Sequence, residues 1–198
     1  MKTPSAGRSS AQTRVFETRA FLSIVALAVT VPGLAQLYRD GPPVHHSGGY
    51  GEPTCHVCHF DGAINSPDAN ARAIDVPSTF VSDSTYLVTV VVSKADLGAA
   101  GFSMSSRFRN GAQAGSLLAT DDRATVESGP TGVQFAMHTL DGSDPVAPDS
   151  NAWTLIWTAP SEADTVFFHI AANAANGDDS ELGDLIETVS YFSLGAAR

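Results

Sequence analysis

The chain has 198 residues, 43% hydrophobic and 16% charged, a globular composition that excludes collagen-like, coiled-coil and wholly disordered classes. Charge is uneven: residues 1–35 carry Lys2, Arg8, Arg14 and Arg19 against Glu17, whereas the remainder carries 7 basic and 20 acidic side chains. An acidic body lacks the cationic footprint that displaces phosphate counterions, which excludes nucleic acid as a partner. In chain order, the first element is an export signal over residues 1–35. A basic, Ser-rich stretch ends at Arg19, an apolar run extends from Ala20 to Val31, and Pro32-Gly33-Leu34-Ala35 supplies a helix breaker with small residues for cleavage. The run is shorter than the ~20 residues that span a bilayer. Cleavage after Ala35 therefore leaves no stable membrane span and a periplasmic or secreted protein.

Residues 36–76 read as an irregular segment. The stretch Gly41-Pro42-Pro43-Val44-His45-His46-Ser47-Gly48-Gly49-Tyr50-Gly51-Glu52-Pro53 is too rich in turn formers for a regular helix or strand, and is expected to wrap over something. Residues 54–75 hold both cysteines and little apolar periodicity, so they are expected to be loop with one short helical turn. From Pro77 the pattern becomes that of strands. Tyr86, Val88, Val90 and Val92 share one face, as do Phe102, Met104 and Phe108. Asn110-Gly111 marks a turn. Val133, Phe135 and Met137 alternate with Gln134, Ala136 and His138, and Trp153, Leu155 and Trp157 share a face. Thr165-Val166-Phe167-Phe168-His169-Ile170-Ala171 is apolar on both faces, like a central strand, and residues 185–193 form the last one. Short strands between Gly, Pro, Asn and Asp loops predict one all-β domain over 77–194, an antiparallel β-sandwich.

The only two cysteines stand in Cys55-His56-Val57-Cys58-His59, the C-x-x-C-H attachment sequence of c-type haem. The spacing has a physical reason. Two thiols separated by two residues reach the vinyl groups along one edge of the porphyrin, and the adjacent imidazole falls beneath the iron. Random placement of two Cys and six His would produce the pattern roughly three times in ten thousand chains of this kind. The export signal agrees, because haem c is attached outside the cytoplasm. A Cys55–Cys58 disulfide, a redox pair, and a zinc site built from Cys55, Cys58, His59 and another histidine stay open beside it. The redox pair lacks the βαβ context it normally needs.

These residues, with others downstream, resemble the Reeler-like domains of bacteria, also called choice-of-anchor V domains. The matching pieces are Gly51 to His59, Met137-His138-Thr139, Trp157-Thr158-Ala159-Pro160, Ala171 to Asp178, and Gly183-Asp184. The resemblance implies an immunoglobulin-like sandwich with a haem-binding insertion before its first strand; a sorting or anchoring tail often follows such domains, and because this chain stops at Gly195-Ala196-Ala197-Arg198 a free soluble form is expected.

Iron in such a protein takes His59 on one side and a second ligand on the other, usually Met or His. Strand alternation puts Met104 and Met137 on core faces, and gives His169 the bland reading of a buried, hydrogen-bonded histidine. His45 and His46 lie on the segment before the motif, and His56 is expected to face solvent. His138, on the face less committed to the core, is the first choice and His46 the alternative. The acidic run Asp178, Asp179, Glu181 and Asp184 does not match a twelve-residue calcium loop and reads as a surface turn. The expected function is electron transfer by a protein with one covalent haem c and a redox partner protein. The alternative is a secreted Reeler-like binding or adhesion module in which haem is structural, sensory or absent. No hydrolase elbow, zinc helix or phosphate loop is present in the sequence, so an enzyme is not expected.

Overall fold

The computed structural model describes residues 39–196, so the export signal of residues 1–35 lies outside the described residues. Ten strands follow one 3-10 turn at Cys55–Val57: β1 Ala69–Ile74, β2 Thr79–Phe80, β3 Thr85–Lys94, β4 Ala99–Phe108, β5 Ser116–Ala119, β6 Ala124–Ser128, β7 Gln134–His138, β8 Ser150–Thr158, β9 Val166–Ala175 and β10 Leu185–Gly195. They form two sheets, one in the order β1-β3-β8-β5 and the other β2-β10-β9-β4-β7-β6. Every pairing is antiparallel except β2 with β10. The protein is an all-β sandwich, as the strand pattern predicts.

Between the sheets lies the core, to which β8 contributes Trp153, Leu155 and Trp157, β3 contributes Val88, Val90 and Val92, and β4 contributes Phe102 and Met104. Phe168 and Ile170 of β9 face them, with the Trp157 ring edge-on to Phe168 at 4.9 Å and to Phe80 at 5.3 Å. Both indoles end on loop carbonyls: Trp153 Nε1 donates to Gly142 O at 3.0 Å and Trp157 Nε1 to Ala114 O at 3.1 Å. Each ring thus buries its area without stranding a donor. β9 pairs along nearly its whole length with β4 and β10, which explains why it is apolar on both faces.

Two expectations are corrected. The first strand, β1, falls inside the segment 36–76 that reads as irregular. Ala-Asn-Ala-Arg-Ala-Ile carries no large buried side chain, only Ala71 and Ala73 on the core face, and it is recruited by the edge of β3 through the register Ala69↔Lys94 to Ile74↔Thr89. The second concerns β7. Ala136, not Met137, packs in the main core. Val133, Phe135 and Met137 instead form a second, small cluster capped by Val44.

That cluster explains what the Gly-Pro-His segment wraps over. It lies against the side of the six-stranded sheet that turns away from the core. Ser47 Oγ meets Ser105 Oγ at 3.0 Å, Tyr50 Oη donates to Phe108 O at 2.7 Å, and the His45 ring stands edge-on to Phe135 at 4.7 Å. Glu52 pairs with buried Arg107 and accepts from Ser47 Oγ at 2.8 Å and from His45 Nδ1 at 2.9 Å. Burial raises the carboxyl pKa of Glu52, but these donors outweigh it and hold the group below its usual range. An apolar outer row and a neutralised charge cluster make the irregular segment a third layer.

Candidate functional site

Thr54 caps the 3-10 turn, its hydroxyl accepting from His56 N at 3.2 Å. Backbone bonds from Cys58 N and His59 N both reach Cys55 O, at 3.2 and 3.1 Å. Side chains three apart eclipse in a 3-10 turn, so one short turn presents Cys55 and Cys58 together. The thiols are not joined to each other. Cys58 is exposed, whereas burial pushes the Cys55 thiol up to about 12 and keeps it protonated. His56 is half-buried rather than solvent-facing, with a Nδ1 that has no hydrogen-bond partner.

Both cysteines and His59 line an open cavity. The first residues of β4 and the glycine before it, Gly98-Ala99-Ala100-Gly101, supply a wall with nothing larger than a methyl group. His46 and His138 line the same cavity. The sequence therefore separates by up to about ninety residues a set of five side chains that the fold gathers at one place. None of the large core side chains belongs to its lining.

The histidines differ in what their ring nitrogens do. His59 Nδ1 lies 2.7 Å from Asp184 Oδ2, and Asp184 is fully buried. A carboxylate oxygen only accepts, so His59 presents Nδ1–H to it, which leaves Nε2 as the acceptor of the neutral ring; Asn173 Nδ2 lies 3.2 Å from Nδ1 and 3.4 Å from Nε2. Asn173 Nδ2 donates to the same Oδ2 at 3.0 Å, and the backbone N–H of Asn176 donates to Oδ1 at 3.2 Å. His46 Nδ1 faces the carbonyls of Pro43 and Val44, each at 3.1 Å, so it too donates from Nδ1 and leaves Nε2 as an acceptor. His138 is the opposite case. The β4–β7 ladder ends at Ser103↔Met137, and the next donor, Phe102 N–H, is taken by His138 Nδ1 at 3.1 Å. Acceptance at Nδ1 puts the proton on Nε2, whereas donation from Nδ1 to Phe102 O, 3.4 Å away, would put it on Nδ1. A Cβ at Gly101 would overlap the His138 ring, which is why a glycine stands there.

The remaining sequence candidates lie elsewhere. His45 is committed to Glu52 and Phe135. His169 sits under Gly49 and Tyr50 and bonds Ser190 Oγ at 2.8 Å; burial, then the nearby Arg107 charge, lower its pKa. Met104 and Met137 are buried, in the main core and the small cluster respectively. The acidic turn is dispersed: Asp179 pairs with Arg39 at 3.0 Å, Asp178 accepts from Ser180 N at 2.9 Å, and Asp184 turns inward to His59. Asp184 and Asn173 are the functional candidates that sequence reasoning missed. Asp184 read as one acid of a surface turn, and only its position after Gly183, in a segment shared with the Reeler-like resemblance, singled it out.

Among the described residues no group of three or more His, Cys, Asp or Glu side chains is arranged to hold a metal ion. A structural zinc needs four such donors. No helix among them is long and apolar enough to cross a membrane. No family model and no curated protein matches the chain. Solved structures with a similar fold include the human F-spondin reeler domain (15% identity, TM-score 0.42, 67% of this chain and 94% of that chain). The Reelin-N domain of F-spondin is similar at 14% identity and a TM-score of 0.42, over 72% and 96% of the two chains. A non-cellulosomal cohesin from Archaeoglobus fulgidus is similar at 10% identity and 0.35, over 66% and 92%.

Proposed function

We propose that this is an exported electron carrier in which Cys55 and Cys58 would attach one haem c and His59 and His46 would hold its iron, with no enzymatic activity. The observation that supports it is the meeting of two thiols on one helical turn with two lone-pair-bearing histidines around a single small-walled cavity. That donor set suits haem c, which takes two sulfurs on its periphery and two nitrogens on its iron; two Cys and two His are also zinc donors by type, but among the described residues they are not gathered as a group that could hold a metal ion. In the attachment each thiol adds across a vinyl C=C, sulfur bonding to one carbon and hydrogen to the other, so no oxidant is consumed. Bound haem supplies a one-electron iron couple. Cys55, Cys58, His59 and His46 would hold it, and the methyl and glycine surface of residues 98–101 lines the same cavity. A chain this acidic would dock a cationic redox partner.

A second reading is favoured by the independence of core and cavity. Because no large core side chain lines the cavity, the sandwich does not require it to be filled, and a secreted binding module in which haem is structural, sensory or absent would fold equally well.

The deciding experiment expresses the chain with its leader in a host that matures cytochromes c and takes the pyridine haemochrome spectrum after denaturing purification. Absorbance that stays with the polypeptide, at the α-band of a doubly thioether-linked haem and absent from a Cys55→Ser/Cys58→Ser variant, is expected. A colourless wild-type chain beside a normally matured control cytochrome overturns the haem reading and leaves the binding module.

A further inference from the structure

Asp184 is 1% exposed and sits at the mouth of the last strand, more than a hundred residues from the motif. Three groups converge on its carboxylate: His59 Nδ1 at 2.7 Å, Asn173 Nδ2 at 3.0 Å and Asn176 N–H at 3.2 Å. Gly183 N donates in turn to Asp61 Oδ2 at 2.7 Å, which ties the loop carrying Asp184 to the residues just after His59. A surface acid has no need of this arrangement, and its burial is costly unless each lone pair is used. The only partner that is not part of its own strand pair or loop is the histidine of the attachment motif.

We propose that Asp184, held by Asn173, is the positioning residue of His59: it fixes the imidazole as the Nδ1–H tautomer and makes Nε2 a more basic donor toward the cavity. The inference rests on the haem reading for its redox consequence, but not for the tautomer, which belongs to the chain itself. An acceptor on the far nitrogen of a ligating histidine orients the ring and raises its basicity, and removing such a partner typically costs 10–100-fold in ligand strength. A more basic imidazole favours the ferric over the ferrous state. Loss of the carboxylate should therefore shift that preference by a similar factor, and at 59 mV per tenfold for one electron the midpoint potential should rise by about 60–120 mV.

Two readouts test this in Asp184→Asn and Asn173→Ala variants. In haem-free protein, the ring nitrogen shifts of His59 measured by NMR should report the Nδ1–H tautomer in the wild type and lose that preference in D184N. In haem-loaded protein the potential of D184N should rise as stated, and N173A, which keeps the carboxylate but removes the amide that donates to it and lies 3.2 Å from His59 Nδ1 and 3.4 Å from Nε2, should move both readouts the same way by less. An unchanged His59 tautomer and an unchanged potential in D184N overturn the proposal. If D184N does not fold, N173A decides on the same two measurements. A wild-type chain that takes up no haem removes the proposed function while the tautomer measurement still decides the role of Asp184.

Discussion

His46 and His138 reach the same cavity with different hydrogen-bond partners, and the difference is the reason the proposed reading gives the iron to His46. His46 donates from Nδ1 to two carbonyls and offers Nε2. His138 spends its Nδ1 lone pair on Phe102 N–H, closing a ladder that β7 leaves one residue short. To bind iron through Nε2, its Nδ1 would have to turn from accepting Phe102 N–H to donating to Phe102 O at 3.4 Å, leaving the buried N–H without that acceptor at about 1–3 kcal/mol. His46→Ala should thus convert a low-spin, six-coordinate spectrum into one with an open site that takes carbon monoxide. His138→Ala should leave the spectrum low-spin and lower the unfolding midpoint. The opposite pattern would return His138 to the iron. Strand alternation ranks these residues the other way, because it reads which face a residue occupies and not which ring nitrogen is already engaged.

At the scale of elements, the segment before the motif is held by titratable contacts, so its grip depends on pH. His169, beneath Gly49 and Tyr50, has a pKa lowered by burial and then by Arg107. Its unfolded counterpart takes up a proton near pH 6.5, so the stability it contributes is full above that value and declines as pH falls below it toward the folded pKa. For Glu52, whose folded pKa lies below the ordinary carboxyl range, the contribution is present above about pH 4.3 and is lost as pH falls through the lower folded value. Urea midpoints should fall in two stages, below about pH 6.5 and again below about pH 4. His169→Gln should abolish the first stage only; a profile that keeps both stages in that variant would reject the assignment. Element prediction succeeds and fails here for one reason. β3, β8 and β9 carry large alternating apolar side chains that only a half- or fully buried strand accommodates. β1 is drawn into the sheet by the free edge of β3, and its own residues carry almost no signal.

For the whole molecule, the separation of core from cavity has a measurable consequence. Trp153 and Trp157 stand between the sheets with their indoles bonded to loop carbonyls, and neither lines the cavity. A Cys55→Ser/Cys58→Ser chain without haem should keep the near-ultraviolet circular dichroism of both tryptophans and unfold cooperatively. Loss of that signal would mean that the site organises the sandwich and not the reverse.

The sequence by itself determined the sandwich, because period-two burial is written locally in the strands, and it determined the two thiols and His59, because their spacing is local. Only the tertiary structure decided the rest of the site. Pairing of β9 with β4 and β10 brings Asn173 and Asp184 to His59, and the wrap of the N-terminal segment carries His46 to the cavity that residues 98–101 also line. Which backbone groups His46 and His138 meet depends on which donors and acceptors the finished sheets leave unpaired, and no residue pattern along the chain records that.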